Sequence, residues 1–194
     1  MTVFLAILSA ILYLTGFLPY IYHTFRGRVV PHAFSWTVWA ILSAINTYNL
    51  YQIEGMDISL ISPLTRSAAL ATGAVIAWFF IRKIRITGLD YIAIGLALIC
   101  LYIAFHYGVQ DAILPTILVD ILVLAPTIKK IWYDPYSEGL TSWVLTIFSQ
   151  ACLLLSLPEI TYSSSIFWIY VMTMNAIVST YIFSRRRYIA RGKI

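Results

Sequence analysis

Arg66 and Asp120 are the side chains whose chemistry fits worst with their surroundings in the sequence. Arg66 stands about nine residues into an apolar run covering 58–81, and Asp120 about eight residues into another covering 112–129. At ~1.5 Å of rise per helical residue, each lies ~12–14 Å from a helix end. An unpaired charge at that depth in hydrocarbon costs at least ~3 kcal/mol. Two chemistries follow. The guanidinium can bind a carboxylate or another anionic group bidentately. The carboxylate is a candidate for proton coupling, taking up and releasing a proton as water access alternates. A buried structural ion pair between the two is the plainer alternative. Asn46, Gln150 and Asn175 fall at comparable depth in three further apolar runs. Amides in hydrocarbon need partners, and these three either complete a polar, substrate-binding cavity with Arg66 or bond neighbouring helices together.

Catalytic machinery is not expected. His23, His32 and His106 lie at the edges of loops, and Cys100 and Cys152 sit inside apolar runs. The chain contains no HExxH, no GxSxG and no phosphate-cradling glycine loop. No enzyme activity, cofactor or metal site is therefore anticipated.

The elements that must position these residues are helices. Of the 194 residues, 61% are hydrophobic and 11% charged, whereas soluble domains carry about 25% charged residues. Runs of roughly 20 apolar residues are needed to cross a bilayer, and seven segments qualify: 2–22, 33–53, 58–81, 89–107, 112–129, 141–157 and 164–184. An all-α membrane protein with seven transmembrane helices is expected. Twelve of the thirteen Lys and Arg residues fall in alternate loops and the tail: Arg26, Arg28, Arg82, Lys83, Arg85, Lys129, Lys130, Arg185, Arg186, Arg187, Arg191 and Lys193. The opposite loops carry Glu54, Asp57, Asp111 and Glu159. The positive-inside rule then places the N-terminus outside and the C-terminus in the cytoplasm. Short loops fit a bacterial inner membrane. The net charge of +5 is thus a topological signal, and no nucleic-acid partner is expected. The partners anticipated are lipid and a small-molecule solute, with homo-oligomerisation left open.

A stretch near the N-terminus occurs a second time. Shifting 17–36 by 107 positions onto 124–143 places Pro19 on Pro126, Ile21 on Ile128, Ser35 on Ser142 and Trp36 on Trp143. Fixed-period self-similarity marks internal duplication. The expected units are a three-helix repeat over 1–81, a linking helix over 82–110, a second repeat over 111–184 and a basic tail over 185–194. An intervening helix restores orientation, so the two repeats run parallel, related by an axis along the membrane normal. Pro19 and Pro126 each remove a backbone donor inside a helix, which makes them candidate hinges. Trp36 and Trp143 open helices at the basic end and read as interfacial anchors, with gate residues as the alternative. Trp39, one turn deeper, faces either lipid or the interior.

At these paired proline loops the chain resembles the PQ-loop and SWEET-like transporter superfamily, with its three-plus-one-plus-three helices. The glutamine of the name-giving motif is replaced here by Tyr20 and Thr127. The resemblance implies that Asn175, within MTMNAIVSTYIF, faces the solute and that Tyr48 lies near an aromatic substrate position. Ala68 stands where a second asparagine would be expected. The combined expectation is a transporter or facilitator of a small polar solute, anionic or zwitterionic, working by alternating access. A non-transporting receptor or assembly protein on the same scaffold is the alternative.

Overall fold

The computed structural model describes residues 1–29, 31–80 and 87–192. Among these there is no strand, and seven helices follow in order: α1 (Thr2–Phe25), α2 (Ala33–Glu54), α3 (Ile61–Phe80, preceded by a 3₁₀ turn at Ile58–Leu60), α4 (Gly88–His106), α5 (Ile113–Tyr133), α6 (Leu140–Ser156) and α7 (Tyr162–Ala190). Four stretches, Thr2–Phe25, Ile58–Phe80, Gly88–His106 and Tyr162–Ala190, are long and apolar enough to cross a membrane, the signature of a membrane protein. The other three differ for visible reasons. α2 buries Ser35, Ser43, Asn46, Thr47 and Asn49, α5 carries Asp120, Lys129 and Lys130, and α6 has only 17 residues.

Helix ends are fixed by local chemistry. Gly27 takes φ +67° beyond α1, a left-handed conformation that costs glycine little, and the Arg28 N–H returns to the His23 carbonyl at 2.9 Å. Thr161 and Ser164 cap α7 reciprocally. α7 runs past the expected boundary at 184, so the tail is helical as far as Ala190. Its arginines find partners that stabilise the extra turns. Arg185 stacks on Trp132 at 4.2 Å and donates from Nε to the Trp132 carbonyl. Arg186 donates to the carbonyls of Pro135 and Glu138 at 3.1 and 2.8 Å. Of the basic residues, Arg82, Lys83, Arg85 and Lys193 lie outside the described residues.

The helices pack in a reciprocal pattern. α1 lies against α3 and α6, α5 lies against α7 and α2, α3 packs on α2, and α7 packs on α6. Exchanging α1–α3 with α5–α7 maps each of these contacts onto another. Among the described residues α4 touches only α2 and α5 in any extent. Two hydrogen bonds repeat the relation at atomic level. Ser35 donates from Oγ to the Val123 carbonyl at 3.1 Å, and Ser142 donates from Oγ to the Gly16 carbonyl at 2.7 Å. Ser142 stands 107 positions after Ser35, and Val123 stands 107 positions after Gly16. Buried hydroxyl bonds between helices contribute roughly 0.5–1.5 kcal/mol each. Ser142→Ala and Ser35→Ala should therefore each lower thermal stability by an amount in that range, and by similar amounts, in melting of the detergent-solubilised protein.

At the opposite end of the molecule Asp57 caps the 3₁₀ turn, its Oδ1 accepting from the Ser59 backbone N–H at 2.8 Å. That bond holds the Asp57 carboxyl below the ordinary carboxylate value. A depressed folded-state value stabilises the fold above the unfolded carboxylate's titration, near pH ~3.9, and the contribution disappears as the pH falls through the lower folded value. Asp57→Asn should accordingly show a shallower loss of stability than wild type as pH is lowered from about 5 to about 2.

Candidate functional site

One cavity of about 100 Å³ is lined by residues of α1, α2, α3, α5, α6 and α7, with Glu138 contributed by the loop before α6. Every helix except α4 takes part. The residues Tyr13, Phe17 and Tyr20 from α1, and Ser142, Trp143 and Thr146 from α6, recur about once per turn, so one face of each helix forms the wall. The wall begins at His32 and Glu138, beside the basic loops, and extends inward to Tyr13, Arg66, Asp120 and Val171. Tyr13 is twelve residues before the end of α1, giving a depth of ~18 Å.

The inner end is sealed by the next turn of each helix. Ser9 and Ser149 exchange hydroxyl-to-carbonyl bonds at 2.6 and 2.8 Å, and Ser9 also contacts the Ser62 hydroxyl at 2.6 Å. Asn46 donates to Thr116 Oγ1 at 3.0 Å and to the Leu42 carbonyl at 2.9 Å. Gln150 is buried in this layer, and Trp168 packs with Phe167, Leu50, Ile113 and Leu153. Asn46 and Gln150, expected to line the cavity, are therefore part of its floor, one to two turns too deep. Tyr48 is also absent from the wall. It is 44% exposed and stacks on Tyr51 and beside Phe105 on the outer surface.

Arg66, Asp120, Asn175 and Trp39 do line the cavity. Arg66 and Asp120 face the same space without forming an ion pair within 4 Å. Asp120 Oδ2 instead accepts from the Tyr170 hydroxyl at 2.7 Å. Among the described residues the Arg66 guanidinium makes no hydrogen bond. Its Nε is buried without a partner, and its Cζ sits 5.4 Å from the Tyr13 ring centroid. Asn175 donates from Nδ2 to the Val171 carbonyl at 2.7 Å, one turn back along its own helix.

Aromatic rings dominate the wall nearer the basic end. Trp36 is only 7% exposed, packed against Tyr20 at 5.1 Å and Phe17 at 6.1 Å. Trp39 sits edge-on to Trp36 and to Trp143, each at 6.3 Å. Neither Trp36 nor Trp143 is a lipid-facing anchor, because both rings turn inward to the cavity. Gly73 makes room for the first: a Cβ there would lie 2.0 Å from Trp36 Cζ3.

Two ionisable groups at the mouth are engaged with the protein. Glu138, 3% exposed, is paired with Lys130 and accepts from Trp143 Nε1 at 3.2 Å. His32 caps α2, with Nδ1 2.9 Å from Ser35 Oγ and Nε2 3.5 Å from the buried Asp90 of α4. Sequence reasoning missed Tyr13, Tyr170 and Glu138. The repeat contained a signal for the first, since Tyr13 and Asp120 are 107 positions apart and both reach the inner end of the cavity. Nothing in the sequence distinguishes Glu138 from an ordinary loop carboxylate.

Pro19 and Pro126 are both inside helices, next to the wall residues Tyr20 and Thr127. No family model, curated protein or solved structure matches the chain.

Proposed function

We propose that the chain is a multi-pass membrane transporter or facilitator for a small polar solute, anionic or zwitterionic. It works by alternating access between the bundles α1–α3 and α5–α7. The observation that carries this reading is an arginine without a hydrogen-bond partner in a cavity to which both bundles contribute. A guanidinium with a buried nitrogen and no protein partner is costly, and a solute with an anionic group supplies the missing partner when it occupies the space.

Three further features support the reading. The contacts α1–α3, α1–α6 and α2–α3 map onto α5–α7, α5–α2 and α6–α7 when the two bundles are exchanged, although α2–α7 has no counterpart of any extent among the described residues. The matched serine bonds at Ser35 and Ser142 join the bundles through α5 and α1. The cavity reaches the basic end while serine, amide and apolar side chains close it below, as in one end-state of a two-gated protein. The distribution of basic residues supports a cytoplasmic basic end, in a bacterial inner membrane. Pro19 and Pro126 interrupt the α1 and α5 hydrogen-bond ladders where a rocking bundle needs to bend.

Side-specific labelling tests the mechanism. Thr146→Cys, with Cys100 and Cys152 changed to alanine, puts a thiol on the cavity wall. In oriented vesicles, a membrane-impermeant maleimide should label it rapidly from the basic face. Slower labelling from the acidic face should follow as the other gate opens. Labelling from the basic face alone is the result given by a non-transporting receptor on this scaffold, and it would remove the transport reading.

A further inference from the structure

The cavity wall carries four groups that are charged in ordinary conditions or readily become so: His32, Arg66, Asp120 and Glu138. Two are answered by protein, Glu138 by Lys130 and His32 by Asp90. The remaining two are opposite in sign and share the inner end of the cavity, yet form no ion pair within 4 Å. The Tyr170 hydroxyl, from α7, holds Asp120 on α5 at 2.7 Å, while Arg66 on α3 rests near the Tyr13 ring. Two opposite charges in a low-dielectric space attract strongly, so keeping them apart requires a restraint or an occupant that answers both.

We infer that the cavity is built for a net-neutral zwitterion, with its carboxylate on Arg66 and its ammonium toward Asp120, and that Tyr170 is the positioning residue that keeps the two charges apart. The inference rests on the solute-binding reading above and sharpens it to a charge class. A simple anion would satisfy Arg66 and leave Asp120 facing a second negative charge. A simple cation would do the reverse. A zwitterion answers both and leaves the site neutral. The rings of Tyr13, Trp36, Trp39 and Trp143 suit the same class, because aromatic faces attract an ammonium and pack against the apolar part of the solute.

Binding, rather than transport, separates this inference from its parent. The full-length protein in detergent is titrated by calorimetry with alanine, leucine and phenylalanine. Each is compared with the matched acid lacking the ammonium (propanoate, 4-methylpentanoate, 3-phenylpropanoate) and the matched amine lacking the carboxylate (ethylamine, 3-methylbutylamine, 2-phenylethylamine). For the side-chain size that fits, the zwitterion should bind at least about tenfold more tightly than either partner, since each lacks one of the two charge-assisted contacts. Asp120→Asn should move the preference about tenfold toward the acid, and Arg66→Gln about tenfold toward the amine. Tyr170→Phe frees Asp120 to pair with Arg66. It should weaken the zwitterion severalfold while leaving the acid-to-amine ratio near that of wild type. A purely structural role for Tyr170 would lower the melting temperature alone. Thermal melts of all three variants confirm folding, and Asp120→Asn is nearly isosteric.

Wild type preferring an acid or an amine, or an acid-to-amine ratio unmoved by Asp120→Asn in a folded protein, overturns the zwitterion assignment and leaves the solute cavity standing. No binding by any of the nine compounds overturns both.

Discussion

Lys130→Met is expected to destabilise the protein by about 3 kcal/mol. Glu138 is 3% exposed, and its carboxylate faces Lys130 on one side and the Trp143 indole on the other. Removing the ammonium leaves a buried carboxylate with one neutral donor. Breaking a buried pair from one side costs about 3–5 kcal/mol, and the Lys130 side chain is a quarter exposed, which places the expectation at the lower end. The double variant Lys130→Met with Glu138→Gln removes the stranded charge and should recover much of the loss. Thermal melting of the two variants side by side measures it. Equal stability of the single and double variants would show that the stranded carboxylate carries no such cost.

Gly73→Ala has a steric consequence. The added methyl would sit 2.0 and 2.1 Å from two ring carbons of Trp36, so the indole must leave its slot. Trp36 cannot move alone, being packed on Tyr20, Phe17 and Trp39. Overpacking of this kind costs about 1–3 kcal/mol, and displacement of backbone adds to it. The expected result is a loss of stability near the top of that range, with an altered tryptophan emission spectrum because three indoles share the cavity wall. Trp36→Phe in the same chain should relieve the clash and return part of the stability. Gly73→Ala with unchanged melting and emission would contradict the packing described.

Much of the architecture was legible because it depends on local pattern. Each helix lies within a few residues of its hydrophobic run, except that α5 and α7 extend further at their basic ends. The arginines beyond 184 read from the sequence as a basic tail, but Arg185 and Arg186 have partners on the α5–α6 segment, which only tertiary contact reveals. The repeated Ser-Trp starts were readable, and their serines make matched bonds.

The site was only partly legible. Arg66, Asp120, Asn175 and Trp39 share one space, while Asn46 and Gln150 lie beneath it. Counting residues from helix ends locates depth to about a turn, and one turn separates Asp120 in the cavity from Thr116 in the floor. It cannot give the direction a side chain faces, so Trp36 reads from the sequence as a lipid-boundary anchor, and only the family resemblance puts Tyr48 near the solute. Charge partners were least accessible. Tyr170, not Arg66, meets Asp120, and a tyrosine among fourteen carries no mark of that role.

The central claim is that a water-reachable arginine in a two-bundle cavity binds the solute being moved. Uptake of radiolabelled amino acids and their matched carboxylates into proteoliposomes, wild type against Arg66→Gln, tests it most directly. Saturable uptake of at least one of these solutes by wild type, reduced about tenfold or more in the folded variant, is the predicted result. Equal uptake by the two proteins, or none by wild type for any solute in the set, would contradict it.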